Sequence, residues 1–220
     1  MIVATPEPET NEIRTLADLM ERLGDVPLNR VRFHPAPGTA TIDDVERIRA
    51  KEGYTCELVD GVLVEKTMGM IESMLAVYLA GLLDNFVRPR NLGIVLGPDG
   101  TLQIAANLVR IPDVAYIAWS RFPDGKLPVE PVPLIVPNLA AEILSKGNTL
   151  KEIAIKREEY FDSGVELVWE FDPRTRTTYV FTSPTNPVIL GVNDTLDGGT
   201  VLQGFTLSLR DFFGEMDRHG

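Results

Sequence analysis

The segment Asn138-Leu139-Ala140-Ala141-Glu142-Ile143-Leu144 is short and nearly continuous in apolar residues, with one carboxylate inside it. Such a run is typical of a strand that is buried on both faces of a sheet. Residues 149–163 then predict a helix, and 165–172 alternate apolar with acidic residues, which predicts a half-buried strand. Residues 176–182 are predicted to form its hairpin partner. This order of strand, helix and strand indicates an α/β protein with a mixed sheet.

The preceding part of the chain predicts a hairpin, a long helix and further strands. Asp60-Gly61 is a strong two-residue turn signal between strands predicted at 54–59 and 62–66. Residues 68–88 predict a helix whose apolar residues cover most of its circumference, so we expect it to be largely buried. Strands are also predicted at 93–96, 101–105, 109–119, 187–191 and 200–207, with a Pro-rich loop over 121–137 and a last helical turn at 208–213.

An N-terminal extension is predicted over residues 1–50. Residues 1–12 are polar and rich in Pro and Glu, which is typical of a mobile tail. Short helices are predicted at 15–23 and 41–50, and the Pro- and Gly-containing segment between them reads as a linker. The main domain is predicted to occupy residues 51–220.

The composition excludes several classes of protein. With 44% hydrophobic and 24% charged residues, the 220-residue chain is not disordered as a whole. Its 21 basic and 32 acidic residues give a net charge of −11. This charge excludes a generally basic surface that would bind nucleic acid nonspecifically. A single cysteine, Cys56, excludes an intramolecular disulfide. Two histidines, His34 and His219, argue against a His-rich metal site.

Nothing in the sequence predicts an association with a membrane. We find no apolar run of the roughly 18–20 residues that a membrane span needs. The N-terminus is acidic and lacks the apolar core of a signal peptide. We therefore expect a cytoplasmic protein.

Two carboxylates in apolar surroundings are the first candidates for chemistry. Glu142 lies inside the predicted buried strand, where an ionised carboxylate is costly unless it is paired or binds a metal. Asp113 follows Pro112 at the head of another apolar strand. A pairing with arginine would explain Glu142, and ordinary turn chemistry would explain Asp113. Together, however, they suit a hard cation such as Mg²⁺, which one or two carboxylates typically hold.

Two cations and two further acids complete the set of candidates. On the predicted helix, Lys156 falls at the edge of an apolar stripe that includes Leu150, and Arg157 falls nearer the stripe's centre. Either could direct a cation at a site, although a lysine at a helix edge usually snorkels to solvent. Glu57 lies on the first hairpin strand and Glu72 near the start of the long helix. Each of these glutamates could equally be a solvated carboxylate.

Five segments in order resemble one family. They are Tyr-Thr-Cys-Glu-Leu-Val-Asp-Gly at 54–61, Ile-Pro-Asp-Val-Ala at 111–115, Ala-Glu-Ile-Leu-Ser at 141–145, Lys156 to Tyr160, and Gly-Val-Glu-Leu-Val-Trp-Glu-Phe-Asp-Pro at 164–173. Their order and spacing resemble the bacterial putative restriction endonucleases of the PD-(D/E)xK nuclease superfamily. No single segment is specific, but the five together are, and the resemblance covers roughly residues 53–183.

The resemblance implies a mixed central sheet flanked by helices, with acids converging at one edge. It assigns Asp113 and Glu142 as metal ligands and Glu57 as a further carboxylate of the site. The superfamily's lysine position holds Leu144 here, and Lys156 on the next helix takes that role. Glu72 stands where many relatives have a histidine, which leaves its role open.

Three functions remain open from the sequence. The first is an endonuclease that hydrolyses DNA with Mg²⁺ or Mn²⁺, in which Lys156 helps to activate the attacking water. The second is a weak or inactive nuclease-like module that binds nucleic acid or protein. The third, a carboxylate-pair glycosidase, has no sugar-stacking aromatic cleft to support it. A homodimer is also possible through an exposed sheet edge in the 164–182 hairpin.

Overall fold

The computed structural model describes residues 13–218. The tail predicted at 1–12 and His219 lie outside the described residues. The helices are α1 (Leu16–Arg22), α2 (Ile42–Glu52), α3 (Met70–Val87), α4 (Leu150–Asp162) and α5 (Leu209–Gly214). The strands are β1 (Cys56–Val59), β2 (Val62–Glu65), β3 (Gly93–Leu96), β4 (Leu102–Ala105), β5 (Leu108–Arg110), β6 (Val114–Ala118), β7 (Leu139–Ile143), β8 (Leu167–Asp172), β9 (Thr177–Phe181), β10 (Val188–Leu190), β11 (Thr195–Gly198) and β12 (Leu202–Ser208).

A six-stranded mixed sheet forms the centre of the fold, in the order β10-β9-β8-β7-β6-β3. Only β7 and β8 are parallel, and α4 makes the crossover between them. A four-stranded antiparallel sheet, β2-β1-β5-β4, and the hairpin β11-β12 complete the architecture. The predicted fold class, a mixed sheet flanked by helices, is confirmed.

The two faces of the six-stranded sheet bury different residues. On one face α3, α5 and β12 pack their apolar side chains against Trp169 and Phe171. On the other face Tyr160 of α4 packs with residues such as Ala140 and Val168. Because side chains alternate along a strand, residue 142 of β7 and residue 170 of β8 both point towards α4. The sheet therefore presents Glu142 and Glu170 to the same helix.

Several local predictions differ from the structure. Strand β8 is buried along its whole length and not half-buried, because α4 and basic side chains cover its acidic face. The strand predicted at 109–119 is interrupted at Pro112-Asp113, so β5 and β6 belong to different sheets. Strand β11 was not predicted. Leu150, assigned to the buried stripe of α4, is 88% exposed.

Helix α3 is buried on one side only, whereas the sequence predicted burial around most of it. Leu75, Leu79 and Leu83 are fully buried, but Met70 and Val77 on the other side are exposed. By length and composition alone, Met70–Arg90 could cross a membrane, with a mean hydropathy of 1.4. This corrects the expectation that no apolar stretch is long enough. Such a helix is weak evidence of a span, since core helices pass the same test, and the inner side of α3 packs in the main core.

The predicted dimerisation edge is also wrong. Strand β8 pairs with β7 and β9, and β9 pairs with β10, so the 164–182 hairpin has no free edge. The outer strands of this sheet are β10 and β3.

The segment before β1 packs closely on the four-stranded sheet. Leu19, Leu23 and Val26 contact valines of β1 and β2, and Val45 and Ile48 of α2 pack against β1. The boundary near residue 50 stays a prediction, but α1 and α2 share their apolar cores with the strands that follow.

Candidate active site

Two carboxylates face each other across neighbouring strands on the α4 side of the sheet. Strands β6 and β7 are antiparallel with Val114 opposite Ala141. Extending this register by one residue places Asp113 opposite Glu142. Both side chains are buried, with Asp113 4% and Glu142 6% exposed. Their burial follows from sequence, because each lies at the end of an apolar strand that α4 covers.

Lys156 of α4 joins this carboxylate pair to the second sheet. Its Nζ lies 3.0 Å from Glu142 Oε1 and 2.9 Å from Glu57 Oε1 of β1. One turn later on the same helix, the Tyr160 hydroxyl donates to Glu142 Oε1 at 2.6 Å. The structure thus joins Glu57 and Glu142, two of the predicted site residues, through the ammonium of a third, Lys156.

Glu57 is held from its other side by an arginine. Arg110 Nη1 lies 2.7 Å from Glu57 Oε2, and the backbone N–H of Ile111 donates to Glu57 Oε1 at 3.0 Å. The same guanidinium pairs with Glu159 of α4. Arg110, at the end of β5, therefore links Glu57 to α4.

Asp113 binds a second lysine. Lys66, directly after β2, places its Nζ 2.8 Å from Asp113 Oδ1. The same ammonium donates to the carbonyls of Ile111 at 2.6 Å and Pro98 at 3.2 Å, so all three of its donors are used. The other carboxylate oxygen, Oδ2, accepts from the backbone N–H of Ile143 at 2.7 Å.

These contacts form one group, which we call the charge cluster. Its members are Glu57, Lys66, Arg110, Asp113, Glu142, Lys156 and Glu159.

The charge cluster shifts the pKa values of its members in different directions. Burial opposes ionisation of Glu57, but Lys156 and Arg110 outweigh it and hold the pKa of Glu57 well below its usual value. Burial and the nearby Asp113 raise the pKa of Glu142, although Lys156 opposes them. Burial would lower the pKa of Lys156, yet Glu142 and Glu57 raise it instead. Lys156 is therefore an ammonium in this arrangement and not a proton acceptor.

A cavity of about 20 Å³ lies against the cluster, lined by Asp113, Glu142 and Lys156. That is room for roughly one water molecule or one bare ion. A surface groove of about 460 Å³ shares part of its wall with the cavity: Thr67, Met68, Glu72 and Ser145 line both. Glu72 thus lies where the cavity and the groove meet, without a direct contact to the cluster.

Arg157 lies outside the cluster. Its guanidinium is 2.7 Å from Glu170 Oε1 and stacks over the Phe181 ring at 4.0 Å. The relative placement predicted for the two cations is wrong, because Lys156 is the buried one and Arg157 is partly exposed. Once Leu150 is removed from the buried stripe, the inner side of α4 consists of Glu152, Ile153, Lys156 and Tyr160.

Comparison with known proteins identifies the family. A sequence model of Uma2, described as putative restriction endonuclease, matches residues 42–210. The chain belongs to this family. The resemblance inferred from the five segments is thereby confirmed. No curated protein matches the chain.

A solved structure supports the same fold. The crystal structure of a putative nuclease from Anabaena variabilis is similar with a TM-score of 0.66 and 18% identity, covering 74% of this chain and 91% of that one. At this identity the likeness concerns the fold. The Uma2 match supports a nuclease-like function for the chain.

The residues at the cavity fit one hard divalent cation. Restriction endonuclease-like families generally use divalent metals. Among residues 13–218, no group of three Asp, Glu, His or Cys side chains is arranged to hold a metal. Asp113 and Glu142 supply two carboxylates, and Mg²⁺ is usually held by one or two carboxylates together with water molecules. The cavity between them has the volume for one ion.

Lys66 and Arg110 of the charge cluster, and Tyr160 beside it, were not identified as site residues from the sequence. Lys66 was seen only as the end of a strand, Arg110 as the residue before Ile-Pro-Asp, and Tyr160 as part of an apolar stripe. For Arg110 a signal existed, since a charged residue stands between two apolar strands. For Lys66 there was none, because its contact with Asp113 depends on how two separate sheets meet.

Proposed function

We propose that the protein is a divalent-metal-dependent endonuclease that hydrolyses DNA phosphodiester bonds. The observation that carries the proposal is the pair Asp113 and Glu142, opposed across β6 and β7 beside a cavity for one ion. Lys156, within 3.0 Å of Glu142, adds a fixed positive charge at the same place. Membership of Uma2 supports the same class of chemistry.

Each residue of the site has a role in this proposal. Asp113 and Glu142 would hold Mg²⁺ or Mn²⁺, which when bound stabilises charge on phosphate oxygens and acidifies water. Lys156 orients the attacking water or a phosphate oxygen and stabilises the negative charge that develops there. Glu57, which is itself paired with Arg110, holds Lys156 in position, and Tyr160 fixes the orientation of Glu142. The contact of Lys156 with two carboxylates favours an electrostatic role over the water activation that the sequence analysis suggested.

The groove beside the cavity is the proposed path of the DNA strand. Two cations, Lys146 and Arg174, are among its lining residues. Affinity for DNA depends largely on Lys and Arg contacts to phosphates. With two such residues and a net charge of −11, we expect weak binding that rises as salt concentration falls. We also propose a cytoplasmic location, where DNA is accessible.

One observation favours a second candidate, the non-cutting module. Both oxygens of Asp113 already have partners, Lys66 Nζ and the Ile143 N–H. A carboxylate that is neutralised internally gains less from a metal. The two candidates therefore differ in whether a bound divalent ion leads to cleavage of DNA.

The test is nicking of supercoiled plasmid by the wild type and by Asp113→Asn, in Mg²⁺ and in Mn²⁺, with titration calorimetry of the same proteins. The nuclease proposal expects metal-dependent nicking and one bound ion in the wild type, and neither in the variant. Metal binding without nicking, or neither in the wild type, would favour the non-cutting module. Equal nicking by both proteins would show that the cleavage does not depend on Asp113 and would contradict the proposed metal site.

A further inference from the structure

Arg30 connects the N-terminal segment to both lysine-bearing elements of the site. It lies in a 3₁₀ turn, Leu28–Arg30, and is 7% exposed. Its Nε donates to the backbone carbonyl of Glu65 at 3.0 Å, next to Lys66. Its Nη2 lies 2.9 Å from Oε1 of Glu152, a residue of α4 that precedes Lys156 by one helical turn. A single guanidinium therefore links the end of β2 to the first turn of α4.

The same contact continues into the loop 144–149, which joins β7 to α4. Arg30 Nη1 donates to the Gly147 carbonyl at 3.5 Å and to Glu152 Oε2 at 3.2 Å. Asn148 also donates to Glu152 Oε2, and its own side-chain oxygen accepts from the backbone N–H of Ser145. Ser145 and Asn148 line the cavity. A continuous set of hydrogen bonds thus runs from Arg30 to the wall of the site.

The backbone of the N-terminal segment is fitted to α4 as well. Gly24 has φ +70°, and a Cβ there would lie 2.5 Å from the backbone nitrogen of Glu152. Its carbonyl accepts the hydroxyl of Thr149, the N-cap of α4. Glycine at this position permits both the left-handed backbone and the close approach.

We propose that Arg30 is a positioning residue of the active site. It sets the distance between β2 and α4, and hence the placement of Lys66 against Asp113 and of Lys156 against Glu142. This inference rests on the proposed endonuclease function for its catalytic consequences. It also extends the site to residues 24–31, which precede the part of the chain that the Uma2 model matches.

A positioning role explains features that a purely stabilising role does not. A buried ion pair usually contributes little stability over apolar residues of the same volume, because both charges lose their hydration. Arg30 and Glu152 are nevertheless nearly fully buried, with side chains 9% and 7% exposed. Their fixed geometry instead defines one distance between two elements, and misplacement by about 1 Å can cost around 10²-fold in rate.

Arg32 supplies a matched control from the same segment. It pairs with the side-chain carboxylates of Glu65 and Glu52 at 2.7 and 2.5 Å, whereas Arg30 binds the backbone carbonyl of Glu65. Arg32→Met therefore removes an arginine and its ion pairs and leaves the side-chain contacts of Arg30 with the Glu65 carbonyl, Gly147 and Glu152 in place.

The experiment compares the wild type with Arg30→Met, Arg30→Lys, Glu152→Gln, Gly24→Ala and Arg32→Met. Nicking rates are measured well below every melting temperature, with kcat and KM separated, and amide hydrogen exchange is measured by segment without DNA. For Arg30→Met we expect kcat to fall about 10–100-fold with KM little changed, and faster exchange confined to 144–156. Arg30→Lys should recover part of kcat, and Gly24→Ala should reproduce the defect with every charge intact. Arg32→Met should keep kcat within about twofold.

Several outcomes overturn the inference. Equal losses of kcat in Arg30→Met and Arg32→Met would show a general effect of destabilising the segment. Additive losses in the double variant of Arg30→Met and Glu152→Gln would show that the two do not act as a unit. If the wild type cuts no DNA, the proposed function fails, and the exchange pattern alone decides: acceleration spread over the whole chain, or absent from 144–156, removes Arg30 from the positioning role.

Discussion

Two neighbouring ion pairs on one face of the sheet have very different surroundings. Glu142 and Glu170 are direct neighbours on the parallel strands β7 and β8, and consecutive residues of α4, Lys156 and Arg157, bind them. The first pair belongs to the buried charge cluster beside the 20 Å³ cavity. The second is an isolated pair with a stacked arginine, at the wall of an open groove of about 470 Å³.

The difference between the two pairs is one of charge balance. In the charge cluster four carboxylates, Glu57, Asp113, Glu142 and Glu159, meet three cations, Lys66, Arg110 and Lys156. Beside Arg157 one carboxylate meets one cation. A surplus of negative charge in a buried site is costly and invites a further cation, whereas a balanced pair is complete. Position on the helix alone therefore does not distinguish a cation of the proposed active site from a cation of an isolated ion pair.

The largest expected difference is in activity. Lys156→Met should lower the nicking rate by about 10²–10⁴, because it removes a positioned charge from the reacting centre. Arg157→Met is the matched control, one residue along the same helix, and should change the rate by less than about threefold. Plasmid nicking under saturating Mg²⁺ compares them. Comparable losses in both variants would end the distinction between the two pairs.

Substitutions of Asp113 and of its neighbour Lys66 should change the affinity for Mn²⁺ in opposite directions. Asp113→Asn should remove binding of Mn²⁺, since it removes a ligand. Lys66→Met should tighten it by about tenfold or more, because the ammonium 2.8 Å from Asp113 repels a second cation. Titration calorimetry on folded protein tests both. An unchanged affinity in Lys66→Met would mean that the ion does not approach Asp113.

Stability should also differ between the two pairs, in the order opposite to the one that the sequence suggested. The placement of Arg157 nearer the centre of the apolar stripe, with Lys156 at its edge, implied that Arg157 would contribute more to stability than Lys156. The structure buries Lys156 between two carboxylates, so Lys156→Met leaves uncompensated charge and should cost about 3–5 kcal/mol. Arg157→Met removes the guanidinium from the Phe181 ring and leaves a single carboxylate, Glu170, without its cation, so it should cost about 1–2 kcal/mol. Thermal melts of both variants decide the order.

The sequence predicted the fold better than the placement of individual charges. Apolar periodicity predicted β7 and α4, because the burial of a strand or of one helix face follows from residues that lie close together in the sequence. Which side of α4 is the inner one depended on Leu150, whose 88% exposure no local pattern reveals. Asp113, Glu142, Glu57 and Lys156 were singled out as charged residues in or beside apolar elements, and the family resemblance then assigned their roles. Lys66 and Arg30 were missed because their partners lie 47 and 122 residues away in the chain.

The smallest effect, and the most direct probe of charge balance, is the dependence of stability on pH. The pKa of Glu57 is lowered because Lys156 and Arg110 outweigh burial, so its contribution is present above its usual value of 4.5 and is lost as pH falls. Burial raises the pKa of Glu170 despite Arg157, so its contribution is present below 4.5 and is lost as pH rises through the raised value.

The variants Glu57→Gln and Glu170→Gln should therefore diverge with pH in opposite directions. The melting temperature of Glu57→Gln should lie furthest below the wild type near neutral pH, and the gap should narrow below about pH 4.5. For Glu170→Gln the wild type should hold its advantage in acid and lose it towards neutral pH. Melts from pH 3.5 to 7.5 measure both gaps, and the amide that replaces each carboxylate keeps a hydrogen-bond acceptor for Arg110 or Arg157. Parallel curves for the two variants would contradict the opposite pKa shifts, because a carboxylate whose pKa is lowered and one whose pKa is raised change stability in opposite directions as pH falls.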